Sequence, residues 1–316
     1  MTPLVSVLIP CHNAAPWLAA TIASVRAQTH PRLEIIFVDD GSTDASREVA
    51  STLVGPDFTF LTQPNRGAAA ARQRALVAAR GDYLQYLDAD DLLHPEKISR
   101  QLSRLTHDCN HHIASARWFR FTGAPAAFAA FAAPPEPNWH DASPPDYLVE
   151  TFKNGGMMHP AAWLVPRAVA EAAGPWNESL SLDDDGEYFT RVVLASDGIR
   201  FCPAALVHYR SQLAGSLSGR RTPAAWRSAH EVCRLSTTAL LAREDSPRTR
   251  RASALYWLRV AFAAYPEGGP LVADAIARAR MLDPFARMPS VGPRFEKIAS
   301  VLGWRAAKRL RAWLGP

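Results

Sequence analysis

The sequence predicts an α/β protein: a mostly parallel sheet flanked by helices and followed by a helical C-terminal extension. Three observations carry this expectation. Over residues 1–105, continuous apolar runs alternate with stretches of helical periodicity, the pattern of strands covered on both faces and joined by crossover helices. Beyond about Leu105 the alternation loosens and passes through a Pro- and Ala-rich stretch, Gly123–Pro145. From Thr222 onward the apolar spacing is mostly helical. A chain of 316 residues suits about two domains at roughly 150 residues each, and it divides into segments 1–105, 106–220 and 221–316.

Leu4–Ile9 (LVSVLI) reads as the first strand, and a helix from about Trp17 to Gln28 follows, with apolar groups at Trp17, Leu18, Ile22 and Val25. Leu33–Val38 (LEIIFV) is a second buried strand, and Ser42–Leu53 a helix with Ser42 or Asp44 as its N-cap. Phe58–Leu61 is the third strand. Gly67–Ala79 is an Ala-rich helix stopped by Gly81 as its C′ residue, and Tyr83–Leu87 is the fourth strand. Right-handed βαβ connections between such strands give a parallel sheet. Further on, Ile113–Phe121 is expected as an edge strand, Gly123–Pro145 as a surface loop or insertion, and Gly174–Ala195 as an acidic loop feeding an amphipathic helix. In the last segment, Phe295–Leu314, Ile298, Val301, Leu302, Leu310, Trp313 and Leu314 stand against Lys297, Arg305, Lys308, Arg309 and Arg311. It reads as one amphipathic basic helix.

With 48% apolar and 21% charged residues the chain is globular, which excludes disorder and a collagen-like fibre. No apolar stretch reaches the roughly 18–20 residues that span a bilayer: the Ala126–Ala133 run ends in Pro134-Pro135, and Ala252–Tyr265 is interrupted by Arg259. No basic n-region with a cleavage site opens the sequence, so the chain reads as cytoplasmic. The net charge of +5 suits a small polyanionic substrate or an anionic membrane face and is too weak for nucleic acid. Cys11, Cys109, Cys202 and Cys233 are widely spaced and read as reduced thiols.

In an open α/β sheet, ligands bind outside the carboxyl ends of the strands. Four polar clusters fall at those ends: Pro10-Cys11-His12-Asn13, Asp39-Asp40-Gly41-Ser42, Gln63-Pro64-Asn65-Arg66-Gly67 and Asp88-Ala89-Asp90-Asp91. Any one could be ordinary turn chemistry. Four facing one crevice point to a site. Three carboxylates among Asp88–Asp91 repel one another unless a cation or hydrogen-bond donors offset them, and hard oxygen ligands of this kind select Mg²⁺ or Mn²⁺. The same residues also suit a solvated turn capping a helix near His94-Pro95-Glu96; the two readings are compatible. The chain has no G-x-x-x-x-G-K and no G-x-G-x-x-G, which argues against P-loop ATP hydrolysis and dinucleotide redox chemistry.

Taken in order, PLVSVLIPCHNAAPWLAATIASVRAQT, IIFVDDGSTD, NRGAAAARQRAL and GDYLQYLDADD resemble the nucleotide-sugar half of family 2 glycosyltransferases with the GT-A fold, over roughly residues 1–105. The resemblance implies an inverting, metal-assisted transfer of a monosaccharide from a nucleotide diphosphate sugar, a UDP-sugar above others, to a hydroxyl of a glycan or lipid-linked acceptor. On that reading segment 106–220 is the acceptor-binding half, and the role is one in cell-envelope polysaccharide synthesis. It further implies that Pro10, His12, Asn13 and Asp40, with Asp39 beside it, hold the nucleobase, that Arg72 lies near the base or diphosphate, that Asp88 lies against ribose and metal, and that Asp90 is the direct metal ligand. An inverting transfer needs a general base, and GPWNESLSLDDDGEYFTRVV resembles the family's base-bearing segment. Aligned on Arg191, it makes Asp185 the base and Asp184 the second candidate. Tyr209-Arg210-Ser211-Gln212 resembles the family's Tyr-Arg-x-His element near the diphosphate, with Gln212 where His is usual. His208 is read as a packed strand histidine.

Two other functions compete: a sugar-phosphate nucleotidyltransferase, weakened because Pro10–Asn13 lacks the Gly-rich triphosphate loop, and a non-catalytic nucleotide-sugar-binding protein. Among the tryptophans, Trp176 alone is placed to stack on a sugar face. His107, Cys109, His111 and His112 match no standard zinc spacing and read as a polar surface turn, and Gly155–His159 as a turn or a wall of the acceptor pocket. The C-terminal basic helix either packs its apolar stripe on the protein or lies on an anionic membrane.

Overall fold

The computed structural model describes residues 2–105, 111–123, 136–156, 159–211, 219 and 221–314. Its strands are β1 (Val5–Cys11), β2 (Leu33–Asp40), β3 (Phe58–Gln63), β4 (Tyr83–Tyr86), β5 (Leu92–Leu93), β6 (His112–Phe121), β7 (Val165–Pro166) and β8 (Gly198–Arg210). The main sheet has the order β3-β2-β1-β4-β7, parallel except for β7, and a smaller sheet has the order β5-β8-β6.

β1 is buried at every position because it lies at the centre of the main sheet with a helical layer on each face. Val5, Val7 and Ile9 pack with Leu18 and Ile22 of α1 (Ala15–Arg26). Leu8 points the other way, and with Ile36 and Val38 it meets Ala69, Ala71 and Ala75 of α3 (Ala68–Ala78). Alternation across the pleat combined with burial on both sides is what turns a strand into an unbroken apolar run.

Three local expectations are corrected. The helix after β2, α2 (Ser46–Thr52), starts four residues later than Ser42, because the residues read as its caps are spent elsewhere. Ser42 Oγ accepts from Asn13 N at 3.1 Å, and the Asp44 carboxylate accepts from Ala15 N and Ser46 N at 3.1 and 2.9 Å. These bonds fasten the β1–α1 turn to the β2–α2 turn. Gly81 does not terminate α3 in a left-handed conformation. A Cβ there would stand 2.6 Å from Ser6 N, so close backbone approach demands glycine. Finally, the last segment is two helices, α11 (Pro293–Leu302) and α12 (Trp304–Leu314), broken at Gly303 with φ +77°.

β6 lies at an edge as expected, but of the second sheet, beside β8. α4 (Lys97–Arg104) places Ile98 and Leu102 in the core on the α1 side, and α5 (Pro144–Asn154), α6 (Arg167–Ala173) and α7 (Asp184–Ala195) share a core with Leu84, Ile113, Val165 and Ile199 of β4, β6, β7 and β8. A third core, centred on Trp226, Trp257 and Leu258, holds together α8 (Pro223–Arg243), α9 (Pro247–Ala264) and α10 (Pro270–Leu282). α12 docks there through Ala307 and through Lys308, whose ammonium donates to the Phe262, Ala263 and Tyr265 carbonyls at the end of α9. Cationic closure of the last carbonyls is a common helix ending. Among the described residues, no helix is long and apolar enough to cross a membrane.

Candidate active site

The loops after β1, β2, β3 and β4 open into one cleft of about 740 Å³. Pro10, His12, Asn13, Asp40, Arg72, Asp88, Asp90, Asp184 and Asp185 all line it. The two distant acidic clusters therefore face a shared space.

At one end, the floor is built by hydrogen bonds between loops. Asn13, at φ 55°, turns its side-chain oxygen to accept from Thr43 N at 2.8 Å. His12 Nδ1 lies 2.9 Å from the Asp40 carbonyl, and Asn65 Nδ2 lies 3.1 Å from the His12 ring. Gly41, at φ +67°, has Asn65 N where a Cβ would fall, 2.6 Å away. The Asp40 carboxylate accepts from Gln63 Nε2, Arg66 N and Gly67 N at 2.7, 2.9 and 2.8 Å.

At the other end, charge is concentrated. The nearly buried Arg72 guanidinium donates to Asp88 Oδ1 and Asp184 Oδ2, both at 2.8 Å, above the Trp176 ring. Burial opposes ionisation of Asp88, but Arg72 wins and holds that carboxyl below its usual range. Among the described residues Asp90 has no comparable side-chain partner, Arg210 being only a lesser influence. Burial, then Asp91 and Asp88, push it up to about 8. Arg210 donates Nε to the Asp90 carbonyl at 2.9 Å and its guanidinium lies over Trp17 and Phe121. The fully buried Asp91 accepts from Arg210 N at 2.7 Å and pairs with His159 Nε2 at 3.0 Å. Asp185 is pushed up to about 7 by burial first and then by Asp184 and Asp183. A carboxylate at that value is suited to take a proton near neutral pH.

Asp88 and Asp90 offer hard oxygen ligands in an otherwise undercompensated acidic corner. Among the described residues no group of three or more His, Cys, Asp or Glu is arranged around a metal. The chemistry of the pair fits a divalent cation such as Mg²⁺, which needs few protein carboxylates, and Asp88 and Asp90 would hold it.

Two predicted residues lie outside the cleft lining. Asp39 is fully buried behind it, held by Arg47 at 2.8 Å and by Ser42 N at 3.2 Å. Trp176 is also buried, stacked on Tyr188 at 4.0 Å beneath Arg72, so its ring supports the guanidinium and has no face to offer a sugar. Gln212 falls outside the described residues, as do His107 and Cys109. His208 is packed against Phe119, and burial lowers its imidazole to about 4. Sequence reading missed the far wall: Arg221, Trp226 and Ala229 at α8 and Arg259, Val260 and Ala263 of α9 line the cleft. Their helical spacing carries no signal that separates a site wall from ordinary packing.

The model of glycosyl transferase family 2 matches residues 6–172 of this chain. The chain belongs to glycosyl transferase family 2. One relative of this chain, a Bacillus subtilis glycosyltransferase named for teichuronic acid biosynthesis, TuaG, is 41% identical over 103 residues, covering 32% of this chain and 41% of its own. The chain spans about two fifths of the curated relatives it matches first. Among solved structures, Staphylococcus aureus TarS 1–349 in complex with UDP-GlcNAc superposes with a TM-score of 0.72 at 15% identity, over 97% of this chain and 90% of that one. The Pyrobaculum calidifontis mannosyltransferase PcManGT, in complex with GDP-Man and Mn²⁺, gives 0.55 at 16% identity, over 98% and 87%. At such identities the likeness concerns the fold, which is the GT-A arrangement.

Proposed function

We propose that this family 2 glycosyltransferase moves a monosaccharide, with inversion, from a nucleotide diphosphate sugar to an acceptor hydroxyl. The observation that carries the proposal is that Asp90 and Asp185, 95 positions apart in sequence, line the same cleft. Asp185 takes the proton of the attacking hydroxyl. Arg72 holds Asp88 and Asp184 in place, Asp88 and Asp90 would hold the cation, and the His12–Asn13 turn with Asp40 shapes the nucleobase pocket. When bound, the cation stabilises the charge that grows on the departing diphosphate. The UDP-GlcNAc complex of TarS favours a UDP-sugar donor, and the name of the Bacillus relative favours an envelope glycan or its lipid-linked precursor as acceptor.

The test is release of nucleoside diphosphate from a panel of nucleotide sugars with Mn²⁺. Asp90→Ala is expected to lower kcat more than about 100-fold, since Lewis-acid stabilisation is worth several kcal/mol and each ~1.4 kcal/mol is tenfold. Full activity of that variant, or of the wild type in excess EDTA, rejects the metal role.

The acceptor reading extends to the C-terminal helices. Met281, Phe285, Val301, Leu302 and Trp313 are exposed, and between Pro284 and Leu314 seven basic residues stand against one acidic. Such a surface suits an anionic bilayer, where each Lys or Arg near the headgroups contributes about 1 kcal/mol. The protein is expected to sediment with phosphatidylglycerol vesicles at low salt, to release at 0.5 M NaCl, as screening at roughly that strength predicts, and to ignore phosphatidylcholine vesicles. Equal recovery with both lipids, or with neither, removes membrane contact from the proposal.

A further inference from the structure

We propose that Tyr256 and Ser228, on two helices that follow the residues matched by the family model, are positioning residues that set the backbone carrying the general base.

The segment that delivers Asp184 and Asp185 has an unusual start. A helix N-cap ordinarily has β-region backbone and turns a side-chain oxygen back to an N–H of the first turn. Asp183, the N-cap of α7, is left-handed at φ 63°, ψ 25°, and makes no such bond. Its carboxylate instead folds over Gly186: a Cβ on residue 186 would lie 2.5 Å from Asp183 Oδ1. A non-glycine residue in the left-handed region costs of order 1 kcal/mol and persists only when its surroundings hold it.

Those surroundings come from the C-terminal helices. Tyr256 of α9 donates its hydroxyl to Asp183 Oδ2 at 2.9 Å. Ser228 of α8, almost buried, grips the two preceding residues. Its Oγ accepts from Ser181 N at 2.9 Å and Leu182 N at 3.0 Å and donates to the Leu182 carbonyl at 2.9 Å. Two side chains thus fix three consecutive residues immediately before α7, whose second residue is the base. None of these bonds belongs to α7, and neither Tyr256 nor Ser228 lines the cleft.

The contact also has an electrostatic consequence. The groups facing Asp185 are Asp183 and Asp184 of its own helix, Arg72 of α3, Asp88 after β4, and His159. Those facing Asp183 are Tyr256, Asp184 and Cys233 of α8. Enclosure by the cleft walls raises the Asp183 carboxyl to about 6, and the Tyr256 hydrogen bond works against that rise. Loss of the hydroxyl therefore favours protonated Asp183, which removes negative charge beside Asp185 and lets the base ionise at lower pH.

The inference rests on the reading of Asp185 as the base, and three variants separate the two. Tyr256→Phe is expected to lower kcat about tenfold with the donor KM within about twofold, to move the acid limb of the pH profile downward, and to speed hydrogen exchange at amides 181–187. Asp183→Asn keeps an acceptor for the Tyr256 hydroxyl, so it should move the same limb while retaining kcat within about threefold. Ser228→Ala should lower kcat without moving the limb. A folded Tyr256→Phe protein with wild-type kcat, pH profile and exchange overturns the inference while leaving an inactive Asp185→Asn to uphold the base. A fully active Asp185→Asn overturns both. A lower melting temperature in Tyr256→Phe with unchanged kcat per active site marks Tyr256 as structural only and also overturns the inference.

Discussion

Asp185→Asn is expected to lower kcat by about 10²–10⁴, the usual contribution of a positioned general base, while leaving the fold intact. The amide oxygen can keep the bond that Asp185 Oδ1 accepts from Gly186 N at 3.0 Å, and the side chain keeps its volume. In the wild type, kcat/KM should fall as pH drops below about 7, the value to which burial and then the neighbouring Asp184 and Asp183 push the carboxyl. Stability should move oppositely. A carboxyl whose folded pKa is raised binds its proton more tightly folded than unfolded, so ionised Asp185 costs stability as pH rises from about 4 toward 7. The Asn variant should therefore melt higher than wild type at pH 8 and level with it at pH 3.5. A wild-type rate in that variant, or a pH profile flat from 5 to 8, would falsify the assignment. Sites of this kind commonly trade stability for chemistry.

Arg72→Met should be the most damaging single change to the fold around the site. It removes the guanidinium that bridges the half-buried Asp88 and the buried Asp184 at 2.8 Å each and leaves both carboxylates without it, near Asp185. Breaking a buried pair by deleting one partner costs about 3–5 kcal/mol, a large part of the roughly 5–15 kcal/mol that holds a domain together. Lysine is not an adequate replacement, because a single ammonium lacks the planar fork that reaches two carboxylates at once. The pH dependence follows from Asp88, which Arg72 holds below its usual range against burial. A lowered carboxylate pKa contributes stability above the unfolded value and loses it as pH falls through the folded one. The deficit of Arg72→Met should thus be full at pH 7 and shrink below about pH 4. Urea midpoints at both pH values measure this, and a pH-independent deficit would show that Arg72 acts through packing on Trp176 alone.

The first strands and the loops that follow them were legible because one physical circumstance produces both signals. A central parallel strand covered on both faces reads as an apolar run, and its carboxyl end opens onto the crevice where polar residues gather. The pair Asp39-Asp40 shows where finer reading was still available. Adjacent strand residues point to opposite faces, so only one of the two could face the cleft, and Arg47 on α2 holds Asp39 on the other side. Trp176 was misplaced because nearness in sequence to an acidic cluster does not say whether a ring lies beside the cluster or beneath it. The wall formed by Trp226, Val260 and Ala263 was illegible for a different reason. A helix contributes to a cavity with the same apolar periodicity that it uses to pack, and nothing local distinguishes the two. Gly303 in the last segment was a visible helix breaker, overridden in reading by the regular basic and apolar pattern around it.

The three bonds that the Asp40 carboxylate accepts from residues 63, 66 and 67 have a consequence for recognition. They hold this end of the crevice, which we propose receives the nucleobase, in one shape before any donor arrives. Freezing a backbone residue costs on the order of 1–2 kcal/mol, and here that ordering is completed during folding. Donor capture then resembles docking onto a rigid template, whose association rate should depend little on temperature-driven loop rearrangement.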